Sequence, residues 1–70
     1  MQEIKASMAG SIWLIHVSVG EKVEAGQDVI VLESMKMEIP IATEEAGIVR
    51  EVRMAEGDFV NEGDVILVIE

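Results

Sequence analysis

The chain has no cysteine, no tyrosine, and only one each of proline, tryptophan, phenylalanine and histidine in 70 residues. Without cysteine there is neither a disulfide framework nor a thiolate metal site. His16 has no second histidine or cysteine with which to complete a transition-metal set. Basic residues are scarce as well: five Lys and Arg face fourteen Asp and Glu, giving a net charge of −9. That balance argues against nucleic acid and against anionic membrane surfaces, both of which recruit basic patches. No apolar run approaches the roughly 20 residues of a membrane helix. The opening "MQEIKAS" lacks the charged-then-apolar order of a secretory signal. These absences describe a soluble, cytoplasmic domain.

The usual signatures of catalysis are also missing. No Gly-Lys-Ser/Thr occurs, so the glycines form no phosphate loop. No nucleophile–base pair is visible. Neighbouring acids such as Glu44 and Glu45 are expected on a solvated surface. A glycosidase-like pair would need a deep cleft, which so small a domain does not easily form.

What is present is aliphatic. Half the residues are apolar, yet only Trp13 and Phe59 are aromatic, so the core must be built from Val, Ile, Leu and Met. A chain this short forms one domain, residues 1–70, and buries only about 60 % of its unfolded surface. It begins with Met, which fits a complete small protein or an excised domain equally well.

The chain repeats itself with an offset of 37. "GSIWLIHVSVGEKVEAGQDVIVLE" (10–33) aligns without gaps on "GIVREVRMAEGDFVNEGDVILVIE" (47–70). Gly10, Gly20 and Gly26 match Gly47, Gly57 and Gly63, and the apolar register follows. The halves run about 2–33 and 39–70. Each holds three Val- and Ile-rich runs: 2–6, 10–17 and 28–33, then 38–43, 47–54 and 65–70. β-branched residues without a 3.6-residue stripe predict strands, not helices. The glycine-bearing segments 19–27 and 56–64 read as tight connections. Apolar residues at 12, 15, 17 and at 49, 52, 54 break strict alternation by one step of three, which predicts a bulge or bend in each long strand. Neither half can bury its apolar face alone. Two halves about a pseudo-two-fold axis can, as a small all-β sandwich or flattened barrel.

That symmetry puts one segment at the junction: "ESMKME", Glu33–Glu38, with the connector expected over 34–38 and Lys36 at its centre. The pseudo-axis relates this junction to the gap between the chain ends, so the termini are expected close together. Hairpin turns favour Asn-Gly or Asp-Gly, because their central residues need positive φ. Met-Lys-Met ignores that preference, and such local violations mark functional or strained sites. Catalytic lysines are activated by burial or by a nearby cation. A two-residue turn cannot bury Lys36, and its nearest charges in sequence, Glu33 and Glu38, are anions. Lys36 is therefore read as a substrate amine that another enzyme acylates. Met35 and Met37 offer soft apolar surface for docking, or else cap the end of the core. The bland alternative is a solvated lysine on a hairpin tip.

With these residues the chain resembles the biotinyl/lipoyl attachment domain family, in its biotin carboxyl carrier form. "LESMKMEIPI" (32–41) is similar to the family's Glu-Ala-Met-Lys-Met hairpin, and the two glycine-bearing halves cover nearly all of the rest. The resemblance implies an all-β, flattened barrel-sandwich hybrid of two pseudo-two-fold related four-stranded halves, with the modified lysine on a tight hairpin. By motif match that lysine is Lys36, flanked by recognition residues Met35 and Met37, with Glu33 matching the upstream acid. It implies covalent biotin, attached by a biotin protein ligase, and shuttling of carboxylate between biotin carboxylase and carboxyltransferase. It implies a carrier, not an enzyme, and a monomer in isolation. Ser34 stands where the biotin family usually has Ala, and "SMAG" (7–10) where many members have Pro-Met-Pro-Gly. No insert resembles the thumb of fatty-acid-pathway carriers. Lipoyl domains usually carry Asp-Lys-Ala, so Met-Lys-Met favours biotin, with lipoate on the same lysine as the alternative. An unmodified structural or interaction module is the third reading.

Trp13 and Leu14 stand apart, because their repeat partners are Arg50 and Glu51. They are read either as a partner-docking pair or, for Trp13, as a side chain folded over the sandwich edge to shield the core. His16 pairs with Arg53 in the repeat and is expected at a solvated position.

Overall fold

A computed structural model describes residues 1–70. It contains eight strands and no helix: β1 (Gln2–Lys5), β2 (Gly10–Ile15), β3 (Lys22–Val23), β4 (Asp28–Ser34), β5 (Met37–Ala42), β6 (Gly47–Val52), β7 (Phe59–Val60) and β8 (Val65–Ile69). No helix is long and apolar enough to cross a membrane. The strands form two antiparallel four-stranded sheets, ordered β1-β8-β6-β3 and β5-β4-β2-β7.

Shifting residue numbers by 37, upward for β1 and β3 and downward for β6 and β8, turns the first sheet into the second. The pairing Val49↔Ile69 becomes Ile12↔Leu32, and Val52↔Leu67 becomes Ile15↔Ile30. The turns obey the same operation. Gly20 N–H donates to the Val49 carbonyl at 2.8 Å, and Gly57 N–H donates to the Ile12 carbonyl at 2.7 Å. Each sheet mixes strands of both sequence halves, so the halves interlock and do not form separate layers. Two short strands, β3 and β7, lie inside the segments expected to be pure connections. Gly20, Gly26, Gly57 and Gly63, which bracket them, all take positive φ, a conformation that glycine adopts without steric cost.

The core lies between the sheets. Ile12, Ile30, Leu32 and Val60 from one sheet meet Ile4, Val23, Val49, Leu67 and Ile69 from the other, all buried. Register shifts fall between Ile12 and Leu14 on β2 and between Val49 and Glu51 on β6, as the step of three predicts. Because Ile12 and Ile15 both pair with inward residues, the two residues between them, Trp13 and Leu14, stand together on the outer face opposite Val31. Trp13 is 44 % exposed there. The chain ends are adjacent, as expected: Gln2 pairs with Ile69 at the position equivalent to the base of the β4–β5 hairpin.

Candidate functional site

The β4–β5 hairpin carries the site. Strand pairing continues out to Ser34↔Met37, leaving only Met35 and Lys36 in the turn. The connector is thus two residues and not the five of 34–38, because the apolar alternation of β4 and β5 carries both strands further than their Val and Ile runs do. Met35 and Lys36 take φ of 52° and 64°. Positive φ at both central residues is the hallmark of a type I′ turn, whose twist matches that of the flanking strands. No other non-glycine residue in the chain has positive φ. Each costs about 1–2 kcal/mol in that conformation, from Cβ against the following carbonyl. Strain of this kind is retained where the surroundings over-determine it, most often at functional sites.

The base of the hairpin is correspondingly rigid. Gly10, at the start of β2, lies so close beneath it that a Cβ there would sit 2.6 Å from the Glu33 carbonyl oxygen. Leu32, one residue below, is fully buried. The turn therefore stands on a backbone packed against the core.

Lys36 is exposed, and so are both methionines. Met35 is 90 % exposed and Met37 57 %, so neither caps the core. Glu33 and Glu38 face each other directly across the hairpin, one pair below Ser34↔Met37. Like charges in that register repel. None of the chain's three ion pairs involves Lys36, Glu33 or Glu38. Ser34 is half-buried at the end of β4, paired with Met37. The other two lysines lie within strands: Lys5 on β1, 3.9 Å from Glu3, and Lys22 on β3. Lys36 is thus the only lysine displayed beyond the strand ends, on a hairpin packed at its base, flanked by apolar side chains and without an ion-pair partner. Such an amine can be reached by another enzyme's acyl donor, and nothing around it activates it as a catalyst.

The rest of the molecule offers no competing centre. His16 is exposed, as is its repeat partner Arg53. No group of three or more His, Cys, Asp or Glu side chains is placed to hold a metal ion. The one cleft, of about 300 Å³, is shallow and lies between strands β1 and β5, with Gln2, Ile4 and Ile41 in its wall.

Comparison with known proteins agrees with this geometry. The family described as "Biotin-requiring enzyme" matches residues 2–69. The chain is 58 % identical over 64 residues to the biotin/lipoyl attachment protein of Bacillus subtilis, covering 91 % of this chain and 88 % of that one. It is 40 % identical over 68 residues to the biotinylated protein TB7.3 homolog of Mycobacterium leprae, covering 97 % and 96 %. Among solved structures, the urea carboxylase of Kluyveromyces lactis contains a similar domain, with a TM-score of 0.91 and 33 % identity, covering 99 % of this chain and 6 % of that one. A family match along almost every residue, an eight-strand body with the matching fold and a lysine presented at its symmetric junction lead to one assignment: the chain belongs to the biotin/lipoyl attachment family.

Proposed function

We propose that Lys36 is the acceptor of covalent biotin and that residues 1–70 act as a single carrier domain in a cytoplasmic, biotin-dependent carboxylase system. The observation that carries this reading is the Met35-Lys36 turn: two strained residues spent on displaying one amine that nothing else in the chain engages. The residues present fit the group. Lys36 is exposed and has the reach of a four-carbon stem. Met35 and Met37 supply apolar surface on both sides of it.

Attachment is acyl transfer. A biotin protein ligase presents biotinyl-AMP, and the ligase site takes a proton from the Lys36 ammonium. Nζ then attacks the acyl carbon, an amide C–N bond forms, the acyl–phosphate C–O bond breaks, and AMP leaves. The carrier contributes position only, through the fixed turn and the packed hairpin base. When bound, biotin supplies a ring nitrogen that holds and releases carboxylate. The chain's own work is then to tether that group at high effective concentration between two partner sites. The partners in this reading are a biotin carboxylase and a carboxyltransferase, in line with the carboxylase that contains the similar domain. Net charge of −9 opposes self-association and favours a monomer.

The test is mass spectrometry after incubation with biotin protein ligase, biotin and ATP. The expected adduct is a single biotinyl group on the peptide containing Lys36, absent in Lys36→Arg. No adduct on the folded wild-type chain would refute the proposal. A lipoyl group in its place, after parallel incubation with a lipoate ligase, would move the domain to the other branch of the family.

A further inference from the structure

The two outer faces of the sandwich should be alike by symmetry, and they are not. On the sheet without the Lys36 hairpin, five of the outer positions are Glu3 on β1, Val68 on β8, Arg50 and Glu51 on β6, and Lys22 on β3. Arg50 lies 3.9 Å from Glu70, and Arg53 donates to Glu51 at 3.0 Å. Val68, paired with Glu3 on one side and Glu51 on the other, is only 2 % exposed. Ile48 on β6, 42 % exposed, is the one large apolar residue this face leaves open to water.

On the sheet that carries Lys36, the five equivalent positions are Pro40, Val31, Trp13, Leu14 and Phe59. The four charges among those five positions have all become apolar. Phe59 is 63 % exposed and Trp13 44 %. These residues lie on β5, β4, β2 and β7, with the Val31↔Pro40 pair two rows behind Glu33↔Glu38 and Phe59 beside Ser11. Between the Val31↔Pro40 pair and the turn lie Glu33 and Glu38, without ion-pair partners. A contiguous exposed apolar patch with a polar rim marks an interaction surface.

We infer that the outer face of Trp13, Leu14, Val31, Pro40 and Phe59 is the docking surface for the enzyme that acylates Lys36, which meets it with an apolar centre and a basic rim. This rests on the acceptor reading given above. A bare lysine has only its own four-carbon stem, so the acylating enzyme must close on the turn itself. A partner that meets the loaded arm works from further away. A specific interface covers about 800 Å² per partner, roughly a fifth of the 4201 Å² that this chain exposes. Two turn residues cannot supply that, so the footprint must extend onto a face beside the hairpin. Of the two outer faces, the one with exposed Trp13 and Phe59 belongs to the sheet that runs into the turn. The apolar band supplies buried area. The unpaired Glu33 and Glu38 supply attraction for cations and orient the partner with its reaction centre toward Lys36.

The repeat itself provides the test. Trp13→Arg, Leu14→Glu and Phe59→Lys replace three residues by those that occupy the same backbone positions in the other sheet. They shift net charge by only +1, so bulk electrostatics stay nearly constant. Initial rates of ligase-catalysed labelling are measured against carrier concentration, with Glu51→Ala on the opposite face as control. The expected result is a rise in KM of at least tenfold for the triple variant, with kcat within about twofold and the control unchanged. As a second measurement, the unlabelable Lys36→Arg chain should inhibit labelling of wild type competitively, and should lose that potency when Phe59→Lys alone is added. A KM within twofold of wild type, with wild type labelled normally, overturns the docking surface and leaves the acceptor reading intact. Slower carboxyl transfer at an unchanged labelling KM, or a wild-type dimer that the triple variant dissolves, also overturns it in favour of another occupant. Absence of any label on wild type removes the acceptor reading and this inference with it.

Discussion

Replacing Met35-Lys36 by Asn-Gly should make the protein more stable. Both native residues sit at positive φ, 52° and 64°, where a side chain other than glycine costs about 1–2 kcal/mol. Glycine at 36 removes that penalty but adds freedom to the unfolded chain worth about 0.5–1 kcal/mol, so about 0.5–1 kcal/mol remains as gain. Asn at 35 tolerates the left-handed region through its short polar side chain and contributes a similar amount. No packing is lost in exchange, because Met35 is 90 % exposed and Lys36 is exposed without an ion pair. The sum is about 1–2 kcal/mol against a total of about 4–10 kcal/mol expected for 70 residues. At about 4–8 °C per kcal/mol for a domain of this size, Tm should rise by about 4–16 °C. Urea unfolding followed by the fluorescence of Trp13, the single tryptophan, measures the midpoint directly, and the slope should not change. Lys22→Gly, at a strand position without positive φ, should destabilise under the same conditions. A midpoint for the Asn-Gly hairpin equal to or below wild type would refute the claim that this turn stores strain. The stabilised variant carries no amine at 36 and cannot be labelled there, so stability and function pull in opposite directions at this one site.

Three further outcomes follow from the same geometry. Gly10→Ala should cost about 1–3 kcal/mol, typical of overpacking against unyielding backbone, since its Cβ would meet the Glu33 carbonyl at 2.6 Å; thermal unfolding reads the loss. Thr43, buried at 1 % exposure, donates its hydroxyl proton to the Glu45 carbonyl at 2.7 Å and lies 3.0 Å from Oε1 of Gln2. Its repeat counterpart is Ala6, which is also buried, so Thr43→Ala should fit sterically and cost only the hydrogen bond, about 0.5–1.5 kcal/mol by urea titration. Lys36→Arg should leave Tm within about 1 °C, because an exposed cation without a counter-ion makes little net contribution to stability.

Much of the fold is legible from residues alone, for a physical reason. The gapless repeat fixes the symmetry, and an apolar step of three in a β pattern marks a bulge or a bend, with register shifts found at Trp13 and at Arg50. The exposed lysine at the junction is legible for the same reason, since nothing short of a turn fits between two strands there. Other features carry no period to read. β3 and β7 each contribute one buried residue, Val23 and Val60, flanked by glycine-bearing turns. A two-residue strand is too short to alternate. Periodicity also tells which side chains face inward but not which strand lies alongside, so the interlocking of the halves across both sheets stays hidden. The turn length is missed because Ser34 and Met37 are not strand formers by composition, yet register carries pairing through them. The apolar band needs the bulge geometry: in sequence Trp13, Val31, Pro40 and Phe59 are unrelated, and only pairing brings them to one face.

The turn also explains why one lysine of three should be chosen. Lys5, Lys22 and Lys36 are all exposed, so exposure by itself does not single one out. What differs is placement: Lys5 and Lys22 project sideways from strands, whereas Lys36 occupies the second central position of a turn beyond the last strand pair. The two central residues of that turn share similar φ but not direction, because each peptide step rotates the chain about the hairpin end. Exchanging them, Met35→Lys with Lys36→Met, keeps composition, charge, exposure and left-handed backbone at both sites. It moves only the origin and direction of the amine. Acyl transfer tolerates little of that, since about 1 Å of misplacement can cost about 100-fold in rate. The exchanged chain should unfold at the wild-type temperature and label at least 100-fold more slowly. Labelling of the exchanged chain at the wild-type rate would mean that the enzyme seeks any amine on the tip, and the geometry of the turn would have no part in the choice.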